Sequence, residues 1–235
     1  MPRFKKSRTR IDLLNKEFGV HFLRIIEFIA KKKHNIVIPS KETKNKQSFC
    51  IFANYDYSDM EIQVLDKTFI PFIDAEKINL RLKVLATQIE SDMDGEVPVF
   101  IGVLNGSFMV LSDLVKHYKG ACEMSFVKMA SYIGTQSTNK VTQLLGLDID
   151  VTNRVVILVE DIVDTGNTLV TLKDIFEQHK PKNVKIFTLC LKPEAYTKDI
   201  PLDYVGFEIE NKFIVGYGMD YDKHGRNLSE IYQIK

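Results

Sequence analysis

Residues 154–168, RVVILVEDIVDTGNT, decide how this chain folds. Val155 to Val159 form an unbroken apolar run rich in β-branched residues, the pattern of a strand buried on both faces in a parallel sheet covered by helices. Glu160 and Asp161 stand at its carboxyl end, Asp164 opens the turn Asp-Thr-Gly-Asn-Thr, and Leu169, Leu172, Ile175 and Phe176 then recur at helical spacing. In open α/β sheets ligands sit at such a junction, because the amides of a helix N-terminus are unpaired and their dipoles favour an anion. Gly166 allows close backbone approach, and Thr165 and Thr168 add hydroxyls. The adjacent acids Glu160 and Asp161 fit two readings: a solvated strand end with capping carboxylates, or a seat for hydrated Mg²⁺, which keeps much of its water shell.

The same unit repeats outward. Pro98 to Leu104 reads as a buried strand, Asn105-Gly106-Ser107 as its loop, and Phe108, Leu111, Leu114 and Val115 as the helix after it. Upstream, Asp74 is placed to cap a helix running through Glu90, with Ile78, Leu82, Leu85 and Ile89 on one face. Residues 122–131 make a further strand, followed by a polar stretch, Tyr132 to Thr142, that is expected to be a mobile loop. Val184–Leu191, Tyr204–Glu208 and Phe213–Tyr217 complete the strands. Strands alternating with helical patterns predict an α/β fold, a doubly wound and mostly parallel central sheet flanked by helices.

Charge divides the 235 residues unequally. Residues 1–46 hold thirteen Lys and Arg against four acids, so the remainder is acidic, since the whole chain carries only +1. The basic head includes an amphipathic pattern (Leu14, Phe18, Phe22, Ile25, Ile26, Ile29) and a polar linker at 39–48. The pattern suits a helix packed on the body, or contact with a membrane surface or nucleic acid. Residues 1–59 therefore read as a dispensable extension of uncertain structure, or an over-long start-site assignment, and residues 60–235 as one α/β domain. The apolar stretch 18–30 is interrupted by His21, Arg24 and Glu27, too short and too charged to span a bilayer. Cys50, Cys122 and Cys190 match no metal-ligand spacing and read as free thiols of a reducing cytosol.

VVILVEDIVDTGNTL resembles the phosphoribosyl pyrophosphate motif of the type I phosphoribosyltransferases, in a form similar to the hypoxanthine-guanine branch, and the resemblance extends over residues 62–235. It implies the fold of that family, including a small hood over the sheet. By position, Glu160 and Asp161 correspond to the acids that hold the ribose hydroxyls with Mg²⁺ close by. Asp164 corresponds to the acid near purine N7, a proton shuttle, and Thr165, Gly166, Asn167 and Thr168 to the loop around the 5′-phosphate. Leu104, Asn105 and Gly106 resemble the pyrophosphate loop, which in relatives contains a cis peptide after its first residue. Ser131 and Tyr132 resemble the start of the flexible catalytic loop, whose closure keeps water from an oxocarbenium-like ribosyl centre. Lys192 corresponds to the lysine that contacts the purine 6-oxo group, Phe213 to the aromatic that stacks on the purine, and Ile214 to the residue whose backbone reads the ring edge. Asp220 corresponds to a second metal-contacting acid beside the purine site, and Arg226 to an arginine that contacts pyrophosphate. Two positions depart from the pattern: Asn105 and Asn167 stand where relatives commonly carry a basic residue, which shifts phosphate affinity towards amides and hydroxyls.

The resemblance implies a cytoplasmic purine-salvage enzyme that forms IMP, and GMP if guanine is accepted, from a 6-oxopurine and 5-phosphoribosyl 1-pyrophosphate with Mg²⁺. It implies a homodimer or homotetramer, and no nucleic-acid partner. A regulatory protein of the same fold that senses phosphoribosyl pyrophosphate or nucleotide is the other class. The joint presence of Asp164, Lys192, Phe213 and Asp220 disfavours it, since a sensor would not need the whole set.

Overall fold

The computed structural model describes residues 61–132, 141–145 and 147–235. The head pattern at 14–29, the linker at 39–48, Cys50, the boundary at Met60 and residues 133–140 of the polar loop lie outside the described residues.

The central sheet has six strands: β3 (Val99–Leu104), β4 (Glu123–Tyr132), β5 (Val141–Leu145), β6 (Val155–Val163), β7 (Asn183–Leu191) and β8 (Tyr204–Glu208), in the order β5-β4-β3-β6-β7-β8. All neighbours pair in parallel except β4 and β5. Helices α1 (Ala75–Met93) and α2 (Phe108–His117) cover one face and α3 (Asn167–Gln178) the other. The alternation of strand side chains explains this division. Val155, Ile157 and Val159 pack with α1 and α2, whereas Val156 and Leu158 pack with α3. A run apolar at every position can satisfy both layers at once, and each fully buried aliphatic side chain contributes about 1.5–3 kcal/mol. Arg81 ties α1 to the sheet edge, donating to the carbonyls of Gly206 (2.8 Å) and Val205 (2.7 Å).

The expected hood is a second, antiparallel sheet. It is made from β1 (Ile62–Val64), β2 (Lys67–Ile73), β9 (Ile214–Val215) and β10 (Ile231–Ile234), in the order β1-β2-β10-β9. Strands from both ends of the described body therefore share one small core of Val64, Phe69, Val215 and Tyr232. None of the described helices is long and apolar enough to cross a membrane.

Three local expectations need correction. The central strand does not stop at Val159 but continues to Val163, because pairing with β7 persists through Glu160↔Thr188, Ile162↔Cys190 and Val163↔Leu191. Phe213–Tyr217 contributes only the two residues of β9, since mutual backbone hydrogen bonds between Gly216 and Met219 close a turn there. Val141 and Thr142, expected at the end of the polar loop, instead open an edge strand, Val141–Leu145, paired with β4.

Helix α1 begins as expected: the Asp74 carboxylate accepts from the Lys77 amide at 2.8 Å. Replacing Asp74 by Ala should lower the unfolding free energy by about 1 kcal/mol near neutral pH. That amide holds the Asp74 carboxyl below its ordinary 3.8, so its contribution is present above that value and lost as acid protonates the folded form. Denaturant titrations of both proteins should therefore converge once acid has protonated the folded carboxyl, below its ordinary 3.8; a penalty that persists in acid would show that something other than the carboxylate cap had been removed.

Candidate active site

The site forms where two strands part. β3 pairs with β6 only as far as Gly102↔Val159. Beyond that point β3 leads into α2 on one face and β6 into α3 on the other. Such a switch point leaves a crevice at the carboxyl ends of the strands, and Glu160 and Asp161 are the residues of β6 that face this parting.

Glu160 is buried and Asp161 half-buried. The Gly106 backbone lies directly against Asp161: a Cβ added at Gly106 would sit 1.7 Å from Asp161 Oδ2. Only glycine lets the loop after β3 come this close to the carboxylate. Burial, and then the neighbouring Asp161, push the Glu160 carboxyl well above its usual range. Asp161 is pushed up to about 6, chiefly by burial and also by Asp220; backbone amides and the Arg226 charge oppose this without cancelling it. Desolvated neighbouring acids of this kind call for a cation. Among the described residues no three His, Cys, Asp or Glu side chains converge as a ready-made metal cage. The donor set nevertheless fits Mg²⁺, which is ordinarily held by one or two carboxylates plus water and substrate oxygens.

Two pockets adjoin these acids. The smaller, about 100 Å³, is lined by Glu160 and by residues 162–169. At its base α3 starts from Gly166 in the left-handed conformation (φ 80°), with no side-chain cap. Its first amides are thus left for a ligand, as an anion site requires. The loop after β7 packs behind this turn, so that a Cβ on Gly166 would meet the Tyr196 ring at 2.5 Å and the Lys198 stem at 2.9 Å.

The second pocket, about 200 Å³, is lined by Asp161, Ile162, Asp164, Lys192, Phe213, Ile214, Met219 and Asp220. Lys192 is buried at the end of β7 and donates to Asp164 Oδ2 at 2.9 Å. Phe213 is 44% exposed, with its ring on the pocket wall. Asp220 accepts from the Lys223 amide (2.6 Å) and pairs with Arg226 (2.5 Å). The arginine also donates to the Gly218 carbonyl at 2.6 Å. A larger cavity, about 680 Å³, lies beside β2 and the start of α1, but its lysine, Lys77, is already paired with Asp74 at 3.1 Å. Chemistry rather than size assigns the site to the two smaller pockets.

Nearly all the residues singled out in the sequence thus meet in one region. Ile162 and Asp164 line both pockets, Gly106 joins through Asp161, and Arg226 through Asp220. The Leu104–Asn105 peptide is cis, as the resemblance implies, and Asn105 is exposed at the loop tip. Ser131 and Tyr132 lie at the end of β4, and residues 133–140 after them are outside the described residues. Ile162 and Met219 were missed. Their signal was adjacency alone, to Asp161 and Asp220, and an apolar residue beside an acid has no signature of its own.

Comparison with known proteins agrees with this geometry. A family model described as a phosphoribosyl transferase domain matches residues 73–222. The hypoxanthine-guanine phosphoribosyltransferase of Streptococcus mutans is 40% identical over 161 residues, 68% of this chain and 89% of its own. That of Bacillus subtilis is 39% identical over 164 residues, 69% of this chain and 91% of its own. Among solved structures, a Bacillus anthracis hypoxanthine-guanine phosphoribosyltransferase superposes with a TM-score of 0.65 at 42% identity, covering 70% of this chain and 98% of that one.

The raised Asp161 carboxyl carries a sign that can be measured. Between its ordinary 3.8 and about 6 the folded protein binds more protons than the unfolded chain, so stability falls as pH rises through that window. The thermal midpoint of the metal-free protein should decline across it, and Asp161→Asn should flatten the decline. An identical pH slope in the variant would contradict the assignment.

Proposed function

This chain belongs to the phosphoribosyltransferase family, in its hypoxanthine-guanine branch, and on that premise we propose how its residues divide the work of purine salvage. The reaction joins N9 of a 6-oxopurine to C1′ of 5-phosphoribosyl 1-pyrophosphate, breaking the bond from C1′ to the pyrophosphate oxygen. IMP is the nucleotide expected, and GMP where guanine is accepted. The observation that carries this reading is the Lys192–Asp164 pair, which stands between the pocket with an aromatic wall and the pocket with an uncapped helix.

The roles follow from chemistry. The amides of residues 165–168, with the Thr165 and Thr168 hydroxyls, bind the 5′-phosphate, and Asn167 adds no cation. Glu160 and Asp161 hold the ribose hydroxyls, and with Asp220 they would hold Mg²⁺. Mg²⁺, when bound, supplies positive charge for the departing pyrophosphate. Arg226 and the loop of Leu104, Asn105 and Gly106 face that leaving group. Phe213 stacks on the purine and the backbone of Ile214 reads its edge. Lys192 has donors to spare beyond Asp164, so it can hold a 6-oxo acceptor but not the 6-amino group of adenine, itself a donor. Asp164 takes the N7 proton as N9 bonds to the ribose. Ser131 and Tyr132 begin the loop that shields the centre from water. The cytoplasmic setting and the homodimer or homotetramer go with this reading.

Asp164→Asn should lower turnover by roughly 10²-fold or more, the usual scale of acid-base assistance; unchanged turnover would remove its role. We also propose that residues 60–235 suffice. Expressed alone they should be soluble and active, and an insoluble or inactive product would sink that boundary.

A further inference from the structure

We propose that Tyr221, anchored by Asp66, is the positioning residue that sets the Phe213 ring for the purine; this rests on the reading of Phe213 as the stacking residue. Phe213 is held through its backbone, whose carbonyl accepts from the Ile234 amide at 2.8 Å, but not at its ring. It precedes a strand of only two residues and is 44% exposed, and the torsion that turns a phenyl ring about its stem is soft. What fixes the ring must therefore be its neighbours. Tyr221 stands edge-on to it, with centroids 5.8 Å apart and planes at 81°. Phe69, fully buried on β2, lies tilted to both rings, at 6.3 Å from Phe213 and 6.4 Å from Tyr221. Edge-to-face geometry is the preferred one for aromatic pairs, so the plane of Tyr221 dictates the plane of Phe213.

Tyr221 is itself tied down. Its hydroxyl donates to Asp66 Oδ1 at 2.8 Å, across 155 residues of sequence, in the turn that joins β1 to β2. The bond leaves its mark on both partners, lowering the Asp66 carboxyl and raising the Tyr221 phenol, with this contact the largest cause in each. Phenylalanine at 221 could keep the ring contact but not the tie. The hood thus works as a bracket: one wall supplies Asp66 and Phe69, the other Phe213 and Tyr221.

The test is steady-state kinetics on the full chain, varying hypoxanthine and 5-phosphoribosyl 1-pyrophosphate separately. Tyr221→Leu should raise the hypoxanthine KM about three- to tenfold and move the other KM by less than about twofold. Tyr221→Phe and Asp66→Ala should give the same smaller rise, while Asp66→Asn, which keeps an acceptor, should stay near the parent value. In a Phe213→Ala background Tyr221→Leu should add nothing. If Phe213→Ala leaves the hypoxanthine KM unchanged, the stacking reading fails. If it raises that KM but Tyr221→Leu does not, or shifts both KM values equally, positioning fails while stacking stands. Should Tyr221→Leu not fold, Tyr221→Phe and the exposed-turn variant Asp66→Ala decide the matter, and parental hypoxanthine KM values in both overturn the proposal.

Discussion

The ion pair between Lys192 and Asp164 joins the two halves of the site. It bridges the end of β7 to the loop after β6, so the strands that build the sheet also place the acid and the cation. The two partners stand in unequal surroundings: the lysine is buried, whereas about half of the aspartate side chain is open to the crevice. Burying an ammonium without a partner is costly, on the order of 3–5 kcal/mol when a buried pair is broken. The lysine therefore depends on Asp164 for its charge balance, and on the proposed reading its further N–H donors take the 6-oxo acceptor while that pair stays in place.

Behind this pair lies a second electrostatic constraint. Glu160 and Asp161 are adjacent and desolvated, and the Gly106 backbone crowds Asp161, so their charged forms are disfavoured until positive charge arrives. Arg226 offers positive charge to Asp161, but it is already shared with Asp220 and a carbonyl. On the proposed reading, Asn105 and Asn167 leave the two phosphate loops without cationic side chains, so binding there would rely on amides, hydroxyls and Mg²⁺.

Most of the sheet was legible because Val155–Val159 and Val99–Leu104 are short apolar runs with a loop and a helical period after them, a pattern local to each segment. Much of the candidate site was legible for the same reason: Glu160 and Asp161 follow one apolar run directly, and Asp164, Gly166 and Gly106 sit in the loops beyond the strands. The hood's construction was not, because β2 and β10 pair across more than half of the described chain and β9 has only two residues. Nothing local announces such pairings. The extension of β6 to Val163 was hidden because two carboxylates interrupt an apolar strand, which reads as an ending unless the parting of β3 is seen. Tyr221 is the sharpest case. Its meaning comes from Asp66, a residue remote in sequence and unremarkable in composition.

The measurement that bears most directly on the central claim is pyrophosphate release by the full-length protein with 5-phosphoribosyl 1-pyrophosphate and Mg²⁺, run in parallel on adenine, hypoxanthine, guanine and xanthine. Release with hypoxanthine, with or without guanine, and none with adenine is the result expected from a buried lysine facing a 6-oxo acceptor. Release with adenine, or with none of the four, would contradict it.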